Sequence, residues 1–163
     1  MNKSQLLRSL ARKSGLCDKW FSEWTDDESD EALLARYIRG IDFCIKHDYP
    51  SLPIIRSTFD DDTLRKHNIY LDVRNTTIQS PQPVSVFLGT SKAHVTASAF
   101  SVSDIYVRHH SDVRIHARDH AIVAITVYDH ARISVTYEDQ AKVHIYKRSV
   151  DAQIIAQDGI AIK

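Results

Sequence analysis

From Ser91 to Lys147 the chain repeats itself every ten residues. The first position of the register reads Ser91, Ser101, Ser111, Ala121, Ala131, Ala141, and the third reads Ala93, Ser103, Val113, Val123, Ile133, Val143. The fifth reads Val95, Ile105, Ile115, Ile125, Val135, Ile145, and the seventh Ala97, Val107, Ala117, Val127, Tyr137, Lys147. Odd positions are mostly small or β-branched and even ones mostly polar, which is the period of a strand with one buried face. Each ten therefore reads as a strand of about seven residues and a turn of about three.

Length decides what such strands can build. Seven extended residues cover roughly 23 Å, and three more cannot bring the chain back to its starting point. Two repeats can close a coil: out along one sheet, round a tight turn and back along a facing sheet. The repeat predicts a flattened two-sided β-solenoid with about 20 residues per coil. A three-sided coil and an antiparallel meander remain alternatives. Parallel stacking is preferred because it profits most from the same residue recurring at the same position. With "VSVFL" and "AQIIA" the repeats make about eight strands, or roughly four coils.

The first half carries a different period. "TDDESDEALLARYIRGIDFCIKHDYP" places Leu34, Ile38, Ile41 and Ile45 on one helical stripe that Pro50 ends, and Thr25 to Glu28 has capping-box spacing. Ser4 can cap a shorter helix that stops at Gly15. Trp20, Phe21, Trp24, Leu52, Ile54, Ile55 and Phe59 supply a small helical core, and "NIYLDV" reads as a lone bridging strand. Two prolines in "QSPQPVS" interrupt both patterns. The fold class is α+β: an N-terminal helical cap over residues 1–80, then a decapeptide-repeat β-solenoid over 84–163.

Bulk properties bound the function. The chain has 163 residues, and 21 basic side chains balance 21 acidic ones, so no global field gathers nucleic acid or an anionic membrane. No apolar run has signal-peptide or membrane-spanning length, which points to a cytoplasmic protein. Cys17 and Cys44 lack metal-ligand spacing and read as buried reduced thiols. Glycine-rich phosphate loops, nucleophile elbows and His-Glu-x-x-His are absent, so no catalytic residue, cofactor or metal is assigned.

Two features could still carry binding. Seven of the nine histidines follow residue 90, and the turns read His109-His110, Asp119-His120, Asp129-His130 and Asp139-Gln140. With two repeats per coil, successive turns alternate between opposite edges. His110 and His130 then stack as a pair, with His120 on the other edge, and the aspartates serve as turn residues accepting from the next backbone amides. The strands at 101–108, 121–128 and 141–148 share one face. Its candidate interaction residues are Tyr106, Arg108, Ile122, Tyr128, Tyr146 and Arg148, exposed beside Val102. Tyrosine and arginine with a few aliphatics is interface composition; a wet strand face and a platform for stacking sugars are the other readings. The opposite face carries Lys92, Asp112, Arg132, Arg114, Arg118 and Glu138 among serines and threonines.

At "VYDHARISVTYEDQAKVHIY" the repeat resembles the "xAxVxVYD" solenoids of uncharacterised proteins from gut bacteria and their phages. The segment "LCDKWFSEWTDDESDEALLARYIRGIDFC" is similar to the helical leader of some of them. The resemblance covers most of the chain and implies a bacterial or phage setting; its motifs are structural and transfer no catalytic residue.

Together these readings predict a non-enzymatic structural or protein-binding module. It self-associates into a homo-oligomer through its C-terminal solenoid edge, presents the Tyr/Arg face to a protein partner, and engages neither membrane nor nucleic acid. The alternative is a carbohydrate-binding or carbohydrate-degrading β-helical protein.

Overall fold

A computed structural model describes residues 1–163, which divide into two compact units, Met1–His67 and Asn68–Lys163.

The first unit holds six helices: α1 (Lys3–Lys13), α2 (Asp18–Ser22), α3 (Asp30–Arg39), α4 (Ile41–His47), α5 (Leu52–Thr58) and α6 (Asp61–Lys66). Asn2, not Ser4, caps α1, in a reciprocal box with Gln5. Ser4 is buried; its hydroxyl donates to the Thr25 carbonyl at 2.7 Å and accepts the Trp24 indole N–H at 3.0 Å. The Gly15 stop stands, with φ at +101°.

The expected box at Thr25–Glu28 forms only by half. Glu28 accepts the Thr25 N–H, but the helix begins later, at Asp30, with Ser29 as its cap. Glu28 instead pairs with Arg36. Burial raises its carboxyl, yet the Arg36 and Thr25 hydrogen bonds and the Arg36 charge outweigh that and hold it below its ordinary value. The long helix expected to run up to Pro50 is two, joined at Gly40. A Cβ there would meet the Trp20 ring at 3.1 Å, so glycine is what lets the indole approach the backbone. Trp24, Leu33, Leu34, Tyr37, Ile41, Ile45, Ile55 and Phe59 are buried, while Trp20 and Phe21 are half-buried beneath the guanidinium groups of Arg39 and Arg8.

The second unit is a two-sided parallel β-solenoid of about five turns. Its eleven strands are β1 (Ile69–Leu71), β2 (Thr76–Gln79), β3 (Val84–Leu88), β4 (Lys92–Ala97), β5 (Val102–Val107), β6 (Asp112–Ala117), β7 (Ile122–Val127), β8 (Arg132–Tyr137), β9 (Lys142–Lys147), β10 (Gln153–Ala156) and β11 (Ala161–Ile162). Odd strands form one sheet in the order β1-β3-β5-β7-β9-β11 and even strands the other, β10-β8-β6-β4-β2. All pairings are parallel, and from β4 to β9 the register is exactly two repeats. Val102 thus lies beside Ile122, and Ile105, Ile125 and Ile145 form one column. The three-sided coil and the meander are overturned. Between the sheets Val113, Ile115, Ala117, Val123, Ile125, Val127 and Ile133 are at most 2% exposed, so the odd positions are the core.

The solenoid is longer than the repeat announces. "NIYLDV" supplies β1, its first strand, paired with β3 rather than standing alone. "QSPQPVS" forms a corner between β2 and β3, so the units divide ahead of the two prolines. A corner needs no ladder hydrogen bond from proline nitrogen, and the Pro83 carbonyl still accepts the Asp104 N–H at 2.7 Å. Strands of three, four and two residues are too short to display a period, which is why β1, β2 and β11 escape a count made from repeats.

Candidate functional site

The five successive corners from β4 through β9 each turn on one residue with left-handed backbone. Ala99, His109, Asp119, Asp129 and Asp139, all at the ninth repeat position, have φ between +55° and +62°. Aspartate suits that conformation better than most residues. Its carboxylate, however, does not accept from the next local amides. It reaches along the solenoid: Asp119 accepts the Ala99 N–H at 2.8 Å, Asp129 the His109 N–H at 3.1 Å and Asp139 the Asp119 N–H at 3.1 Å. Ser149 accepts from Asp129, and the His109 Nδ1 accepts from Gly89. Every such bond joins a corner to the same corner one coil earlier. A corner amide that points out of the strand ladder thereby gains a partner.

Asp129 also takes the Arg108 Nε–H at 2.9 Å. Changing Asp129 to Ala is expected to destabilise the fold by about 2–3 kcal/mol, because it strips the acceptor from a buried arginine and a corner amide together. Asp129→Asn keeps an acceptor and tolerates the left-handed backbone, so about 1 kcal/mol or less is expected. Urea titration of both variants checks this, and equal losses would refute the ladder's role.

The histidines fall as the alternating edges require. His110 and His130 meet edge to face with centroids 5.2 Å apart, while His120 on the opposite edge packs against Phe100 at 4.7 Å. His130 Nδ1 lies 3.9 Å from Asp151. No group of three or more His, Cys, Asp or Glu side chains is gathered where it could hold a metal ion. Cys44 is buried, which pushes its thiol up to about 12. Cys17, expected inside, is exposed at the N-cap of α2, a helix that itself buries none of its residues.

On the odd-strand sheet the outer side is less open than expected, most of all at Arg108. Arg108 is 8% exposed, not displayed: its guanidinium lies over the Tyr128 ring at 4.7 Å and pairs with Asp129. Tyr106, Tyr128 and Tyr146 are half-buried, with Arg148 and Lys163 set over the Tyr146 ring. Ile122 and Arg148 are exposed. Phe100, Val102 and Ile122, at 80%, 63% and 40% exposure, form an apolar patch at this end of the sheet. Phe100 is the member that sequence reasoning missed. It occupies the tenth position, where the corners otherwise carry His or Gln.

The even-strand sheet turns a flat polar side outward. There His116 Nδ1 lies 2.7 Å from the Thr136 hydroxyl, and its Nε2 lies 3.2 Å from Glu138. Hydroxyl, imidazole and carboxylate stand in the order of a nucleophile, its base and the base's orienting group. These three were also missed, since the rung that joins them spans two repeats. His116 and Glu138 are 38% and 56% exposed at the side chain. Acyl-transfer sites depend on preorganised donors in a water-excluded setting; on an open face this relay serves as a hydrogen-bonded rung between β6 and β8.

No helix is long and apolar enough to cross a membrane. No protein-family model, curated protein or solved structure matches the chain.

Proposed function

We propose that this protein is a non-enzymatic structural module that assembles with copies of itself and offers the outer side of its odd-strand sheet to a protein partner. The observation that carries the reading is the last coil. β10 and β11 each have a strand neighbour on one side only. The side chains around them are Ile154, Ala156, Ile160 and Ile162, apolar and incompletely buried, with Ile155 exposed on the outer side. Such an edge lacks the inward charges and prolines with which strand edges are commonly blocked. A second copy presents the same pair of edges at the same separation, so each can complete the other's ladders under two-fold symmetry, which closes the assembly.

Tyr106, Tyr128, Tyr146, Ile122 and Arg148 form the second contact surface in this reading, with Arg108 bracing Tyr128 from beneath. The cytoplasmic location and the gut-bacterial or phage origin, the latter resting on the resemblance of the repeat, belong to the same proposal.

Sedimentation of the full chain over a wide concentration range tests the assembly. Dimers are expected, dissociating when Ile155 and Ile162 are both changed to Lys. A parent protein that stays monomeric at high micromolar concentration overturns it.

A further inference from the structure

The strongest unused feature of the solenoid is the outer side of the even-strand sheet. Lys92, Arg114, Arg118 and Arg132 all stand exposed there, and none has a carboxylate within ion-pair distance. Several cations elsewhere are engaged. Lys3, Arg8, Arg12, Arg36 and Arg39 pair with acids in the helical unit, and Arg108 pairs with Asp129. Two carboxylates share the face with the four cations: Asp112, between Lys92 and Arg132, and Glu138, held by His116. Positive charge is therefore in excess.

Its layout is linear and rigid. Arg114, His116 and Arg118 follow one another at alternate positions on β6 and its end, about 6.6 Å apart along the strand. Lys92 and Arg132 flank that row, one rung to either side, about 4.8 Å per rung. The stacked coils fix the backbone positions that carry these cations before any ligand arrives, so binding orders only their side chains.

We infer that this face binds a linear polysaccharide bearing carboxylate groups. Charge selects a polyanion, and the guanidinium fork matches a carboxylate in two-point fashion. The side chains between the cations select a glycan over a nucleic acid. They are threonines, serines and imidazoles that can exchange hydrogen bonds with hydroxyl groups, and none of the large Phe, Tyr or Trp rings on which successive bases stack best stands among them. The inference is independent of self-association, which concerns β10 and β11.

Calorimetric titration of the full chain with polygalacturonate tests it, with neutral dextran and oligothymidylate as comparison ligands. Polygalacturonate is expected to bind in low-salt buffer, and raising the salt to physiological strength should weaken it on the order of tenfold as the charges are screened. The double variant Arg114→Gln/Arg118→Gln should lose on the order of tenfold in affinity with an unchanged circular-dichroism spectrum. Lys142→Gln/Lys147→Gln, on the other sheet, should bind as the parent does. No binding at low salt, equal binding of neutral dextran, or an undiminished double variant overturns the inference. Tighter binding of oligothymidylate overturns the choice of polymer.

Discussion

Replacing Ile125 by Ala is expected to cost about 2–5 kcal/mol, the range for deleting a large aliphatic side chain from a packed core. Ile125 is fully buried at the centre of β7, stacked in register between Ile105 and Ile145. Its neighbours on both sides are locked by strand pairing and by the corner ladder, so they have little freedom to close the cavity. The upper part of the range is expected for that reason. A control on the same unit is Val150→Ala: that residue is 88% exposed, and a change within about 0.5 kcal/mol is expected. Thermal and urea unfolding of both variants in the full chain give the comparison. If Ile125→Ala unfolds with the parent, the column of isoleucines is not what holds the coils together.

That column is legible before any coordinates, and the reason is physical. Parallel stacking repeats one environment at every coil, so selection for an inward β-branched residue leaves the same mark at Ile105, Ile125 and Ile145. Chain length against strand rise then excludes one-repeat coils, and the two-sheet topology follows. What stays hidden depends on contacts between residues a coil apart. The exposure of Arg108 cannot be read locally, because the ring and the carboxylate that cover it, Tyr128 and Asp129, lie in the next coil. The aspartates advertise turns, yet their hydrogen bonds run along the axis, which a ten-residue window does not contain. In the helical unit Gly40 reads as an ordinary interior glycine of one long helix; only the Trp20 ring against its backbone shows why two helices meet there.

The repeat also sets how the chain tolerates deletion. Excising residues 121–140 removes one whole coil, two half-turns, and is expected to leave a folded solenoid. The cut brings Ile145 onto Ile105 and Val143 onto Ser103, since each pair shares its position in the register. It also sets Ser149 above His109, where its hydroxyl can accept the corner amide as it now accepts that of Asp129. Deleting Ala124 alone is a far smaller excision with a far larger effect. One residue is half a strand period, so Ile125 and Val127 turn outward while Thr126 and Tyr128 turn into the core. Each exposed aliphatic forfeits about 1.5–3 kcal/mol of burial, and an unpartnered threonine hydroxyl adds about 1–3 kcal/mol. A unit built from nearest-neighbour coils has no distant contacts to offset that loss, so the strands beyond the deletion should detach. Limited trypsin digestion reads the difference at Arg132 and Lys142: cleavage there is expected to be fast after the single deletion and slow in the parent, and the coil-excised chain should retain cooperative melting. Equal protease resistance in the single-residue deletion would mean that a corner absorbs the slip, and that the ten-residue period is not what specifies which side chains face inward.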